Sequence, residues 1–338
     1  MGVKKERLKY VDVLRVIAMI SVFTVHYTRA LESSGIGTGN KILPDFVFGA
    51  YLGSFGVAIF FILSGISLMY TYNDMFELKS YIKKRFLGVY PMFWICYILV
   101  FLYYFYVRRG NTFTAPNWTI ILSVLGMDGY LCNYGPNFYI IGEWFLGCLI
   151  FLYILFPILR FGVKRFPIIT AVIILLIYGI LPYHYTGTIS MELFFLLRLP
   201  EFAFGMYMVN YKWDIKWYVA LPAMVVLAAM QILDTSSIPV LYVVTAVGIL
   251  SVISVYWICK FIKWEKFYSL CKLIGKNAYG VFLTHHVVLY EITRHFAGLY
   301  MFKMENYMLY AICWLVTGVA TVLLSKLHKR VMKFIKEN

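Results

Sequence analysis

The stretch LRVIAMISVFTVH, Leu14–His26, is apolar almost throughout, yet Arg15 lies near its start and His26 ends it. The basic segment KKERLK before it resembles the positively charged n-region of a secretory signal peptide. The apolar run is too long for a signal peptide, lacks a clear cleavage site of small residues and is followed by many more apolar runs. We therefore expect a retained transmembrane helix whose two ionisable groups need an explanation.

The composition favours a membrane protein. Of the 338 residues, 62% are hydrophobic and 14% are charged, against roughly 25% charged residues in soluble domains. This predicts an all-α polytopic membrane protein. No internal repeat or long polar linker interrupts the chain, so we expect one transmembrane domain over residues 1–338 without an appended soluble domain. The six cysteines form no CxxC pair, and neither a disulfide framework nor a metal site is predicted.

Apolar runs of about 20 residues predict the membrane spans. A further segment over 118–127 is too short to span and is expected to be interfacial or re-entrant. Glu143, near the outer start of the fourth run, is expected to be an interfacial carboxylate beside Trp144. The ten predicted helices cover residues 10–29, 46–72, 87–107, 138–159, 166–182, 191–209, 217–233, 238–259, 273–293 and 306–326.

The basic residues test this count, because Lys and Arg concentrate on the cytoplasmic side of membrane proteins. With the N-terminus inside, most of the 31 Lys and Arg residues fall in inner segments. The distribution predicts that both termini are cytoplasmic. It also argues against a nucleic-acid partner despite the net charge of +15, because the cations are spread along one membrane face. The exceptions are Arg29, Lys41, Arg108, Arg109, Arg294 and Lys303 in outer loops and Arg198 within a span.

Arg15 and His26 both lie within the first predicted span, and a charge at a helix centre costs roughly 2.5–3.5 kcal/mol. The step of eleven residues from Arg15 to His26 makes three helical turns plus about 20°, so both point the same way about 16 Å apart. Asp12 is spaced to pair with Arg15. The spacing leaves three interpretations open: interfacial anchors, a structural polar contact, or parts of one reaction site.

Two other predicted spans carry ionisable residues. In RLPEFAFG, Arg198 and Glu201 are either a self-neutralising pair or a phosphate or carboxylate ligand with its orienting partner. His285 and His286 lie about 14 Å beyond Lys276, at a depth where polar groups usually mark pathways or proton relays. Because adjacent helical residues point about 100° apart, we expect at most one of these histidines to face a given site.

Six motifs follow one another along the chain: Arg15-x10-His26; FFILSG with Phe60, Phe61, Ser64 and Gly65; KKRFLGVYP with Arg85, Tyr90 and Pro91; WFLGCLIFLYILFP; RLPEFAFG; and NAYGVFLTHH. In this order, over about residues 10–290, they resemble those of the acyltransferase-3 family of integral membrane enzymes. The third departs from the family pattern RxxRIYP, because Gly88 replaces the second arginine. The sixth puts His285, and not His286, on the family's histidine, with Ala278 in place of its usual serine.

The resemblance implies a multi-pass enzyme of the bacterial inner membrane. Such an enzyme moves an acyl group, most often acetyl, from acyl-CoA to a hydroxyl of a cell-surface glycan, wall polymer or lipid-linked sugar. The bilayer, acyl-CoA and this acceptor are the implied partners; no metal is implied, and a homo-oligomer stays open. The implied catalytic residues are His26, Arg15, His285 and Glu201. Guanidinium groups bind phosphates bidentately, and the implied donor-binding residues are Arg15, Lys83, Lys84, Arg85, Arg198 and Ser64.

Another class of protein fits the buried Arg, Glu and His nearly as well before the motifs are considered. It is a transporter or exporter of a polysaccharide or a lipid-linked precursor. The chain shows no paired inverted halves, and a conduit gives no reason for the Arg-x10-His pattern. A non-catalytic scaffold would not need histidines at mid-membrane. We therefore expect an acyltransferase, with direct transfer and a covalent acyl-histidine both open as routes.

Overall fold

The structure is a computed structural model that describes residues 7–107 and 115–337. Arg108 and Arg109, which the charge analysis assigns to an outer loop, lie outside the described residues, as do the first three residues of KKERLK. Within the described ranges the chain is predominantly helical, and the strands are four short pairing segments. The predicted all-α class is confirmed.

The helices are α1 (Lys9–Ser33), α2 (Leu52–Tyr72), α3 (Leu78–Val107), α4 (Ile120–Leu125), α5 (Trp144–Arg165), α6 (Pro167–His184), α7 (Leu199–Asn210), α8 (Trp217–Ile232), α9 (Val240–Cys259), α10 (Glu265–Lys276), α11 (Ala278–Arg294) and α12 (Lys303–Glu337). The strands are β1 (Gly37–Thr38), β2 (Phe46–Val47), β3 (Ala50–Tyr51) and β4 (Tyr300–Met301). β1 pairs with β4 in parallel, and β2 pairs with β3 in antiparallel.

Within the described ranges, seven helices are long and apolar enough to cross a membrane: α1, α2, α3, α5, α6, α9 and α12. The apolar helix α8 is shorter, with 16 residues. α7 and α11 have 12 and 17 residues. The protein is a polytopic membrane protein; the count of ten spans and the cytoplasmic termini stay predictions.

Three predicted spans begin differently from the apolar pattern. The second starts with a hairpin, β2 and β3, whose turn residues Phe48 and Gly49 have φ of 54° and 78°. Positive φ at both central residues is the geometry of tight two-residue hairpins. The sixth includes a short 3-10 helix over Phe195–Arg198 before α7. The ninth is divided at Asn277, which separates α10 from α11. Hydropathy does not detect these breaks, because it averages over a window of residues and does not register the local backbone geometry.

The described residues form two compact units, and α1 contributes residues to both of them. Unit 1 contains residues 7–22, 44–70 and 200–278, and unit 2 contains residues 23–43, 71–107, 115–199 and 279–337.

In unit 1, α2 and α7 lie backbone against backbone. A Cβ atom on Gly65 would lie 1.9 Å from the carbonyl oxygen of Phe202, and one on Gly205 would lie 2.2 Å from that of Ile62. Small residues permit this approach between membrane helices. The glycines of the FFILSG and RLPEFAFG motifs therefore have a packing role, which we call the glycine contact.

In unit 2, α3, α5, α11 and α12 surround a buried apolar cluster. Its members include Phe93, Leu146, Leu283 and Leu324, one from each of these helices. α1 is tied to α12 by the hydroxyl of Tyr27, which donates to Oδ1 of Asn306 at 2.7 Å. These contacts hold α11 and the C-terminal half of α1 in fixed positions.

Candidate active site

Three histidine rings meet in unit 2, and we call them the histidine cluster: His26, His285 and His286. The ring centroid of His26 on α1 lies 5.0 Å from that of His285 and 5.1 Å from that of His286, both on α11. The expectation that only one of the α11 histidines could face a given site is wrong. The two side chains leave the helix in different directions, but His26 lies between those directions and contacts both.

The surroundings of His285 fix its tautomer. Its Nδ1 lies 3.0 Å from the carbonyl oxygen of Val281 and 2.9 Å from that of Phe282. Because both partners are acceptors, Nδ1 carries the proton and donates it, so Nε2 of the neutral ring holds the lone pair. This Nε2 is buried and has no hydrogen-bond partner among the described residues. A buried imidazole with an open lone pair is chemically available as a base.

His26 also keeps an open ring nitrogen. Its Nδ1 is buried and has no hydrogen-bond partner among the described residues. The wall beside the cluster is aromatic: Phe23, one turn before His26 on α1, stacks on Trp314 with centroids 3.7 Å apart. Phe23 lies 6.2 Å from the His285 ring. Apolar walls that exclude water strengthen any polar interaction that forms inside them.

His286 is the member that the family alignment does not select. Its ring lies 4.7 Å from that of Tyr290 and packs on the backbone at Gly142. A Cβ atom on Gly142 would lie 2.8 Å from Cγ of His286, and Gly142 has a φ of +79°. Both the available space and the backbone conformation therefore require glycine at residue 142.

The loop between α4 and α5 carries two buried carboxyl groups, Asp128 and Glu143, outside the candidate spans. Glu143 was expected to be interfacial, but it is completely buried, and its Oε2 accepts from the backbone N–H of Ile141 at 3.2 Å. Its Oε1 has no hydrogen-bond partner in the described part of the chain. Burial raises the pKa of Glu143 to about 8 and that of Asp128 to about 6. Sequence reasoning missed both, because burial of a loop residue depends on packing that no local pattern encodes.

Arg15, near the start of the segment Leu14–His26, lies in unit 1. Its Nη1 is 3.3 Å from Oδ1 of Asp12, so the predicted pairing is present. Asp12 also accepts two hydrogen bonds from Arg7, at 2.6 and 2.8 Å. Arg7 thus takes the bidentate geometry, and Arg15 contacts the carboxylate through one nitrogen. The Arg15 side chain is about a quarter exposed (26%), so it combines a fixed position with access.

The other predicted residues of unit 1 have local partners. Oε1 of Glu201 accepts from the hydroxyl of Thr245 at 2.8 Å, and both residues are buried. The hydroxyl of Ser64 donates to the carbonyl oxygen of Phe60 at 2.8 Å, within α2. These bonds fix both side chains; the catalytic and donor-binding roles of Glu201 and Ser64 stay predictions.

Arg198 lies in unit 2 at the end of the 3-10 helix. It is almost completely buried, and its Nε donates to the carbonyl oxygen of Glu192 at 2.8 Å. A buried guanidinium that holds the preceding turn has a structural role in addition to any contact with a ligand. Its predicted phosphate contact stays a prediction.

The basic motif lies at the start of α3 in unit 2. Lys83 and Lys84 are exposed, whereas Arg85 is half-buried, with its guanidinium 5.9 Å from the ring centroids of both Tyr72 and Tyr153. Cations over aromatic faces are attracted to them. Gly88 is exposed, and no atom lies within 4 Å of where its Cβ would be.

Of the predicted catalytic residues, the structure thus brings His26 and His285 together and adds His286. Arg15 and Glu201 lie in unit 1 with partners of their own. In the described part of the chain, no group of three or more His, Cys, Asp or Glu side chains has an arrangement that could hold a metal ion.

Comparison with known proteins agrees with the motifs. The acyltransferase-3 family pattern, described as an acyltransferase domain, matches residues 8–327. The chain therefore belongs to this family, as its sequence motifs predicted. It is similar to a protein named acyltransferase MdmB from Streptomyces mycarofaciens, with 23% identity over 169 residues. That match covers 48% of this chain and 41% of the relative, less than half of either. No solved structure matches the chain significantly.

Proposed function

We propose that this chain is a membrane acyltransferase that moves an acyl group, acetyl in the first instance, from acyl-CoA to a hydroxyl of a cell-surface glycan or wall polymer. The observation that carries the proposal is the histidine cluster. Two of its members, His26 and His285, have an open ring nitrogen beside an aromatic wall, in a chain of the acyltransferase-3 family. Thioester transfer to a hydroxyl needs such a base, since a hydroxyl is a weak nucleophile until its proton is removed.

In the proposed reaction, His26 takes the proton of the acceptor hydroxyl as its oxygen attacks the thioester carbonyl carbon. The carbon–sulfur bond then breaks, and the protonated His26 returns the proton to the leaving thiolate. Acceptor and acyl-CoA thus become ester and free CoA with no net proton released. Imidazole suits both steps, because its ordinary pKa near 6.5 lets it accept and donate near neutral pH. The neighbouring His285, with its tautomer fixed, orients the ring of His26.

Arg15 is proposed to bind the anionic nucleotide end of the donor. The predicted topology puts it on the cytoplasmic side, where acyl-CoA is made, and its guanidinium is only singly engaged by Asp12. Arg85, held between two tyrosine rings, is the second proposed phosphate ligand, with Lys83 and Lys84 beside it at the exposed start of α3.

The test uses purified protein with radiolabelled acetyl-CoA and a surface-glycan acceptor. We expect transfer of label by the wild type and loss of at least about 10²-fold in rate for His26→Ala. His295→Ala is the matched control, because His295 is an exposed histidine at the end of α11. Arg15→Ala is expected to raise the KM for acetyl-CoA about tenfold with little change in kcat. Near-normal transfer by His26→Ala would exclude it as the base, and absence of both transfer and hydrolysis by the wild type would contradict the proposed activity.

A further inference from the structure

Two rings contact the ring of His26, and they have different origins in the sequence. One is His285, which matches the histidine of the family pattern. The other is His286, one residue later on α11, which lies outside that pattern. Both rings meet His26 nearly edge to face, with interplanar angles of 71° and 70°. The centroids of His285 and His286 are themselves 6.2 Å apart, so the two rings meet His26 from directions less than a right angle apart. Together they restrict the side-chain torsions of His26 on that side more than one ring would.

His286 is itself fixed from behind. The ring of Tyr290 lies 4.7 Å away, and the backbone at Gly142 touches the ring from the loop that precedes α5. A Cβ at residue 142 would come within 2.9 Å of both Cγ and Cδ2 of His286, which is closer than side-chain packing permits. The absence of a side chain at Gly142 therefore leaves the space that the His286 ring occupies.

We propose that His286 is a positioning residue for His26, with Gly142 as its seat. This rests on the proposed function, in which His26 moves a proton between the acceptor oxygen and the leaving sulfur. A base must lie within hydrogen-bond reach of the proton that it removes, and a displacement of about 1 Å can cost 10²-fold in rate. His286 supplies a second ring contact that restricts the direction of the His26 ring, and it does so through ring packing.

The proposal predicts a specific coupling between two residues in different segments. His286→Ala removes the flanking ring, and Gly142→Ala pushes it away, so each is expected to lower kcat about 10- to 100-fold. The KM for acetyl-CoA is expected to change less than twofold, because neither residue binds the donor. In the His286→Ala background, Gly142→Ala is expected to lower kcat no further, since the ring that it displaces is gone.

Two controls separate positioning from general damage. Gly298→Ala imposes a side chain at a nearly identical φ of +75°, but nothing lies within 4 Å of its Cβ, so it is expected to leave kcat unchanged. His286→Phe keeps a ring against His26 and Gly142 and is expected to retain kcat within about threefold of the wild type. A loss in His286→Phe as large as in His286→Ala, or fully additive losses in the double variant, would overturn the proposal.

A readout independent of catalysis distinguishes this proposal from the proposed function. Diethyl pyrocarbonate modifies accessible imidazole nitrogens, and peptide mass spectrometry measures its rate at His26 in the detergent-solubilised protein. We expect this rate to rise several-fold in His286→Ala and Gly142→Ala and to be unchanged in His286→Phe and Gly298→Ala. If the wild type transfers no acetyl group but this pattern appears, the proposed function fails and the positioning of His26 stands; an unchanged rate in His286→Ala would contradict the positioning itself.

Discussion

The glycine contact of unit 1 and the histidine cluster of unit 2 both depend on glycine, but the glycines make room for different neighbours. Gly65 and Gly205 admit the backbone of a facing helix, with a carbonyl oxygen where a Cβ would be. Gly142 admits a side-chain ring that belongs to the proposed reaction site. The first arrangement brings two helices together, and the second is proposed to align a base. These glycines therefore divide into motif residues that build the bundle and a loop residue outside the motifs that supports the proposed site.

The largest effect is expected at the glycine contact. In Gly65→Ala the new Cβ would meet the Phe202 carbonyl oxygen at 1.9 Å, and the backbone of α7 must move to relieve it. Overpacking typically costs about 1–3 kcal/mol, and we expect the upper end of this range because backbone must shift. For a chain of this length that corresponds to several °C in melting temperature. Thermal unfolding followed by size-exclusion chromatography measures it, and activity is expected to fall in parallel with the folded fraction.

Gly318→Ala is the control for Gly65→Ala. Gly318 lies within α12, and nothing is within 4 Å of its Cβ, so alanine there is expected to be neutral or slightly stabilising. If Gly65→Ala kept its melting temperature and lost only activity, Gly65 would serve the reaction and not the packing of α2 on α7.

His285→Phe is expected to produce the opposite combination, a large loss of activity with little loss of stability. Phenylalanine keeps the ring but removes the open Nε2 and the Nδ1 proton. We expect kcat for acetyl transfer to fall about 10²-fold, with the melting temperature within about 3 °C of the wild type. His295→Phe is the matched control, because Nδ1 of His295 bonds the carbonyl oxygen of Glu291 at 2.7 Å by the same local geometry in an exposed position. Equal losses in both variants would assign the effect to the local bond.

Features of the fold that depend on a single segment could be predicted from the sequence. Long apolar runs such as α2 and α9 were predictable, because a bilayer demands about 20 apolar residues regardless of the neighbours. The pairing of Arg15 with Asp12 was predictable, because both lie on one helix at a spacing that brings them together.

The rest required tertiary structure. The 100° step between adjacent helical residues predicts that His285 and His286 point in different directions. It does not predict that His26, on another helix, contacts both rings. The burial of Glu143 and the fit of Gly142 on His286 arise from a loop that folds back on other elements. No periodicity within one segment records where another segment will lie.

A smaller effect is expected at Glu143, beside the seat of His286. Its pKa of about 8 lies above the ordinary value of 4.5, so between these pH values the unfolded chain loses the proton while the folded chain keeps it. Ionisation of the unfolded chain alone makes folding less favourable as pH rises through this window. Glu143→Gln removes the penalty and should raise the melting temperature by a few °C at pH 8 but not at pH 4.5. Melting curves at both pH values measure the difference, and an equal shift at both would contradict a buried, protonated carboxyl group.

The smallest effect concerns Gly88, a motif glycine that belongs neither to the glycine contact nor to the histidine cluster. It is exposed on α3, and no atom lies within 4 Å of its Cβ position. A larger side chain therefore fits at residue 88, unlike at Gly65 and Gly142. Gly88→Arg adds a cation one turn from Arg85, and we expect it to lower the KM for acetyl-CoA about two- to fivefold. The helix should also gain about 0.8 kcal/mol, because glycine is a poor helix former. Gly88→Gln gives the same helical gain without the charge, and high salt should abolish the difference between the two variants because it screens exposed charges. An equal fall in KM for Gly88→Gln would mean that the helix, and not the cation, limits donor binding at this end of α3.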